Sequence, residues 1–250
     1  MSTNCLAHEL IEHITPNKEV IDRTQKNIGI RHHMMARLEE GERLNFFRGK
    51  SIADVGCGSG RYLAYFKYVK NIDFCVGVDI SKQTITAAAK NFPRKGRDVE
   101  FLVADAHNLP FKNSAFDMVF STDVFEHLSN PGLALREIGR VGRSKIVVCL
   151  PNRLCPYLYG GAWFGVHERS FIKKYLTRWQ LEKLLKQTKF SKSNIHMAEK
   201  SFLPLEWLLV RKEVRLSTPL IRILLRIEKC LESSPLIKHL AGELVAYCTL

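Results

Sequence analysis

The stretch Ile52-Ala53-Asp54-Val55-Gly56-Cys57-Gly58-Ser59-Gly60 decides how this chain is read. Apolar residues lead into it, and the amphipathic run Arg61-Tyr62-Leu63-Ala64-Tyr65-Phe66 follows. A strand, a glycine turn and a helix in that order bring backbone close to a ligand, because no Cβ intervenes. The helix behind the turn offers unpaired N–H groups to an anionic group. Spacing then chooses among ligands. A dinucleotide turn reads G-x-G-x-x-G; Gly56 and Gly58 fit it, but Arg61 stands in the third place and the glycine arrives one position early, at Gly60. With acidic Asp54 so near, a pyrophosphate matches poorly and a ligand carrying both an ammonium and a carboxylate matches better. A glycine loop without a ligand is the plain alternative.

Asp79 argues against that alternative. Phe74-Cys75-Val76-Gly77-Val78-Asp79-Ile80 reads as a buried strand ending in a carboxylate. In a doubly wound sheet that places an acid at the carboxyl end of the strand beside the first one, where ribose hydroxyls bind. The plainer role for Asp79 is a helix-terminal carboxylate ahead of Ser81, itself a suitable N-cap. A third strand, Val99 to Val103, leads to Asp105 and Ala106, and a fourth, Phe116 onward, ends near Ser121.

Five stretches, IADVGCGSG, VGVDIS, VADAHNLPF, FDMVFSTDVFEHL and the alternation around ALREIGRV, together resemble the class I S-adenosylmethionine-dependent methyltransferases, in particular their small-acceptor group. The resemblance spans roughly residues 50–150 strongly and the rest weakly. It implies an α/β Rossmann-like sheet of seven strands in the order 3-2-1-4-5-7-6, with helices on both faces and a helical insertion before the last strand. It implies S-adenosylmethionine as methyl donor and S-adenosylhomocysteine as product. By the resemblance, Asp54 and the turn residues Gly56, Cys57, Gly58 and Gly60 hold the methionine portion. Asp79 takes both ribose hydroxyls, Ile80 packs on the adenine, Asp105 accepts from its amino group and the Ala106 N–H faces the ring. Ser121 lines the wall near the sulfonium.

The length of 250 residues suits one domain with a modest addition. Its expected parts are N-terminal helices over 1–48, a cofactor-binding core over 49–150 and an acceptor-side region over 151–250. That last region includes an aromatic loop (Tyr157, Tyr159, Trp163, Phe164) and an amphipathic insertion at about 202–240. The insertion reads as a lid, a dimer face, a membrane-surface helix or two helices packed on the core. The seven cysteines form no C-x-x-C pair, which argues against a zinc site or a disulfide framework and for a reduced, cytoplasmic setting. His8, Glu9 and Glu12 stand where a leader's apolar stretch would lie.

The net charge of +13 is uneven. Residues 151–200 carry 10 basic and 3 acidic side chains, where acceptor-side elements are expected. A solvated helix face from Lys183 to Lys192 is the plain reading, and attraction of an anionic acceptor such as a phosphate, carboxylate or nucleic acid is the sharper one.

The segment Asp123-Val124-Phe125-Glu126-His127 lies just past the fourth strand, on the ligand edge. His127 is a candidate general base, against a backbone-bonding role for Glu126 and His127 at the loop-to-helix junction. The spacing D-x-x-E-H also resembles the E-x-x-E-H metal ligands of ubiquinone-pathway and small-RNA methyltransferases, with His167 as a further ligand. Because E-H-L also occurs in methyltransferases that bind no metal, none is expected; Asp123, Glu126, His127 and His167 are the residues to inspect.

The expected function is methyl transfer to a small-molecule or lipid-like acceptor. The alternatives are methylation of RNA, and S-adenosylmethionine binding without catalysis. DNA is not an expected partner, peripheral membrane contact is compatible with the insertion, and both monomer and homodimer remain open.

Overall fold

The computed structural model describes Met34 and residues 37–92, 99–155, 174–192, 194–200, 218–234 and 237–250. His167, the 157–164 aromatic loop, residues 1–33 and 35–36 of the expected N-terminal helices and the first part of the insertion lie outside the described residues.

Seven strands form one sheet: β1 Ser51–Val55, β2 Phe74–Asp79, β3 Val99–Val103, β4 Phe116–Thr122, β5 Gly142–Pro151, β6 Asn194–Lys200 and β7 Glu243–Thr249. Their order is β3-β2-β1-β4-β5-β7-β6. The pairs β1–β2, β2–β3, β1–β4 and β4–β5 are parallel. β7 runs antiparallel to both β5 and β6. The described helices are α1 over 37–43, α2 Arg61–Ala64, α3 Lys82–Asn91, α4 Pro131–Val141, α5 Arg178–Leu185 and α6 Thr218–Glu232.

Both sheet faces are covered, as a parallel sheet requires, and side chains alternate between two cores. One holds Val55, Val78, Val119, Ile146 and Val148 with α4 residues Leu135 and Ile138 and α5 residues Leu181 and Leu185. The other holds Ile52, Cys75, Met118, Phe120 and Val147 with Leu38 of α1, Leu63 of α2 and Ile85 of α3.

Helix starts follow the sequence. The Ser81 side chain accepts from the Thr84 N–H, that of Asn130 accepts from Leu133, and Thr177 forms a reciprocal capping box with Gln180. Two stretches depart from their local pattern. The helix after the glycine turn is regular only over α2 and widens into a π-type turn over Tyr65–Val69. Gly142-Arg143-Ser144 has the composition of a charged turn but already belongs to β5. Ser144 Oγ donates to the Asp117 carbonyl, and Arg143 Nη1 lies 2.6 Å from Asp117 Oδ1. Pairing with β4 through a register shift between Phe116 and Met118 recruits these polar residues.

Candidate cofactor and acceptor site

The strand ends of β1, β2 and β4 share one edge, since Asp54 pairs with both Gly77 and Phe120. The glycine turn leaves β1 there with left-handed backbone at all three glycines: φ is 77° at Gly56, 52° at Gly58 and 82° at Gly60. The Gly56 and Cys57 N–H groups both donate to the Val78 carbonyl, at 2.7 and 2.9 Å, which locks the turn to β2. The glycines differ in what surrounds them. A Cβ at Gly56 would sit 2.0 Å from Val124 Cγ2, whereas one at Gly58 would meet no atom within 4 Å.

Gly56→Ala is therefore expected to cost about 2 kcal/mol of folding stability, through left-handed strain plus overlap with Val124. Gly58→Ala should keep most of its stability and instead weaken ligand binding. Urea melts and a binding titration on the two variants check this contrast.

The carboxylates are held in different ways. Asp54 is 0% exposed, and neither of its oxygens has a hydrogen-bond partner. Burial, and then the charge of Asp79, push its carboxyl up from 3.8 to about 8. Asp79 accepts from the Gly58 N–H at 3.2 Å and from the Ser81 N–H at 2.9 Å, so it braces the turn and the start of α3. Ile80 beside it is 71% exposed, an apolar side chain left uncovered at the ligand edge. Asp105 accepts from the His107 backbone at 2.9 Å, with His107 Nδ1 at 2.7 Å, and these contacts hold its carboxyl below the usual range. Ala106 is buried, and the buried Ser121 hydroxyl donates to the Val55 carbonyl at 2.8 Å. Cys57 is buried in the turn, where burial pushes its thiol well up.

Past β3 the chain is fixed by a pair on α4. Arg140 donates to the Leu109 and Phe111 carbonyls at 2.9 and 2.7 Å, while Glu137 accepts from the Leu109 N–H at 2.9 Å and from Arg140.

The acceptor side holds a network that was not visible in the sequence. Arg37 of α1 is 4% exposed and reaches over the sheet edge. It grips Glu243 through Nε and Nη2 at 2.8 and 2.7 Å, and Asp123 through Nη1 and Nη2 at 2.5 and 2.8 Å. Nη1 also donates to Thr122 Oγ1 at 2.7 Å and to the Tyr62 hydroxyl at 3.2 Å. Burial opposes the guanidinium charge, and Asp123 and Glu243 overcome it and hold Arg37 firmly protonated. Asp123 sits at the end of β4 with φ 57°, a strained conformation for a non-glycine residue. The one signal for these residues was Glu243, an acid opening an apolar strand. Its partner stands 206 residues away, beyond any local pattern.

Of the candidate metal ligands, Asp123 is committed to Arg37, and His167 lies outside the described residues. Both Asp123 oxygens face the Arg37 guanidinium. Glu126 is buried with Oε2 unpartnered; burial and then Asp123 push its carboxyl up to about 8, toward the neutral form. His127 is half-exposed, with Nε2 3.9 Å from Glu126 Oε1. Among the described residues no group of three acidic, histidine or cysteine side chains is arranged to hold a metal.

Strand order, the glycine turn and the acids at successive strand ends define a class I methyltransferase fold. Comparison with known proteins agrees. Residues 53–149 match the methyltransferase domain family. O-methyltransferase cnsE of Penicillium expansum is 33% identical over 124 residues, 47% of this chain and 45% of that protein. The human protein named "Probable tRNA methyltransferase 9B" is 34% identical over 95 residues, 38% of this chain and 19% of that one. The methyltransferase solved in complex with the Trm112 methyltransferase activator of Haloferax volcanii superposes with a TM-score of 0.62 at 17% identity, covering 91% of this chain and 94% of that one. Residues 53–149 thus match the methyltransferase domain family, and the chain has the fold of the class I S-adenosylmethionine-dependent methyltransferases. It spans about half the length of the first curated relatives it matches.

The residues present fit that family's cofactor. A buried, unpartnered carboxylate at Asp54 suits the ammonium of the methionine portion. Open space over Gly58 lets backbone approach it, and Asp79 has the geometry of a ribose acceptor.

Asp54 makes this fit pH-dependent. Between about pH 4 and pH 8 the folded protein keeps a proton on Asp54 that the unfolded chain releases, so stability without ligand falls as pH rises through that window. A cationic ligand group favours the ionised form and expels the proton. S-adenosylmethionine binding at pH 7 is expected to release close to one proton, and to release none in Asp54→Asn. Calorimetry in buffers of differing ionisation enthalpy measures the number directly.

Proposed function

We propose that this protein transfers a methyl group from S-adenosylmethionine to a hydroxyl group of a small-molecule acceptor. The observation that carries the reading is a donor cradle, Asp54-Gly58-Asp79, on the same sheet edge as the half-exposed imidazole of His127. Fungal relatives named O-methyltransferases support the choice of oxygen. The sulfonium supplies an already activated methyl group, so the chain's own task is to orient the acceptor and receive its proton. In this reading His127 receives that proton, and the Arg37–Asp123 pair supports the loop that carries it. A lipid-like acceptor would use the same site. A cytoplasmic, reducing setting goes with seven cysteines that form no C-x-x-C pair.

Methylation of RNA is the second reading. The human relative with a tRNA methyltransferase name and the basic 151–200 segment favour it. A labelled-methyl transfer screen against small-molecule and RNA fractions of an extract separates the two. Label in the RNA fraction alone overturns the small-molecule reading, and cofactor binding with no label transferred anywhere favours a non-catalytic protein. His127→Asn should lower turnover several-fold while leaving cofactor affinity within about twofold. Unchanged turnover would remove His127 from the reaction.

A further inference from the structure

Helix α6 does not have the surface of a helix that only covers a core. Its inner face carries Ile221 and Glu228, 5% and 1% exposed. Lys200 of β6 ties its end down through Glu232, at 2.9 Å. A helix so held normally turns polar residues outward. Here Leu220, Ile223 and Ile227 are 41%, 51% and 44% exposed. At 100° per residue they form one stripe with the exposed Cys230. Arg222, Arg226 and Lys229, all exposed, form a second stripe directly beside it. The acids of α6 lie elsewhere: Glu228 is buried and Glu232 is paired with Lys200. Among the described residues, the acid facing the basic stripe is Glu39 of α1, 3.8 Å from Lys229 Nζ.

We propose that this outer face of α6 docks on an anionic lipid bilayer. An apolar stripe flanked by cations suits a helix lying in the interface, with the isoleucines below the headgroups and the arginines at the phosphates. Charge selects this occupant. A second copy meeting face to face would bring the same three cations together. An RNA strand would neutralise the arginines but leave the apolar stripe without a partner. No described helix is long and apolar enough to cross a membrane, so the contact is interfacial. The net charge of +13 draws the chain toward the same surface. None of this depends on the methyl acceptor.

The test is co-sedimentation of the full chain with phosphatidylserine-containing vesicles and with pure phosphatidylcholine vesicles. The chain should be retained on the anionic vesicles, and retention should fall with added salt. Ile223→Asp with Ile227→Asp, and separately Arg222→Glu with Arg226→Glu, should each weaken binding by roughly twentyfold or more. Circular dichroism and unchanged melting midpoints confirm that both variants fold. Three results overturn the proposal. One is equal retention on neutral and anionic vesicles, or none on either. Another is loss on charge reversal alone, with RNA competing, which marks a nucleic-acid surface. The third is a drop in solution mass in the isoleucine variant with vesicle binding intact, which marks a homodimer face.

Discussion

Asp79→Ala is expected to weaken S-adenosylmethionine binding by roughly 100-fold, the loss of two hydrogen bonds to a charged acceptor at about 1.5 kcal/mol each. The side chain has two roles, and alanine removes both. Its oxygens brace the Gly58 and Ser81 N–H groups, and they face the edge where ribose hydroxyls sit in this fold. Its charge also helps keep the Asp54 carboxyl high, so the substitution should lower the Asp54 value from about 8 and shrink the proton release at pH 7. Asp79→Asn keeps an acceptor and loses the charge, so it should fall between wild type and alanine. Equilibrium dialysis with labelled cofactor measures all three proteins. Unchanged affinity in the alanine variant would overturn the assignment of this edge to the cofactor.

Arg37→Ala should cost about 3–5 kcal/mol of folding stability, because it takes the guanidinium away from the two carboxylates that face it, buried Glu243 and half-exposed Asp123. The effect exceeds that of an ordinary surface ion pair because the guanidinium is 4% exposed and makes six hydrogen-bond contacts with four side chains. Arg37→Lys should recover little, since an ammonium cannot grip two carboxylates side by side. Replacing Arg37 by Met together with Glu243 by Leu should recover much of the loss, as apolar pairs of similar volume often match a buried ion pair. Urea denaturation midpoints and slopes decide the matter, and a loss below 1 kcal/mol in the alanine variant would show that water reaches the cluster. Asp123 leads into His127, so the same variants connect stability to the acceptor side.

The fold was largely legible because its signals are local. A glycine turn between an apolar strand and an amphipathic helix, and acids closing β2 and β3, each lie within a few residues. The β2, β3 and β7 boundaries follow from apolar runs bounded by turn residues, and α4 from Asn130 and Pro131. Where the reading departed, tertiary pairing overrode local pattern. Gly142-Arg143-Ser144 has the composition of a turn, yet β4 offers it a ladder and Asp117 takes Arg143.

The site divides along the same line. Sequence by itself determined the donor side, because strand–turn–helix geometry places Asp54, the glycines and Asp79 wherever the motif folds. Only the tertiary structure decided the acceptor side. There Asp123, just past β4, and Glu243, from β7, meet Arg37 of an N-terminal helix, 86 and 206 residues away in sequence. Contacts at that separation leave no periodicity or spacing to read. They come from buried charges needing partners, and which charges are buried is settled only when the sheet closes.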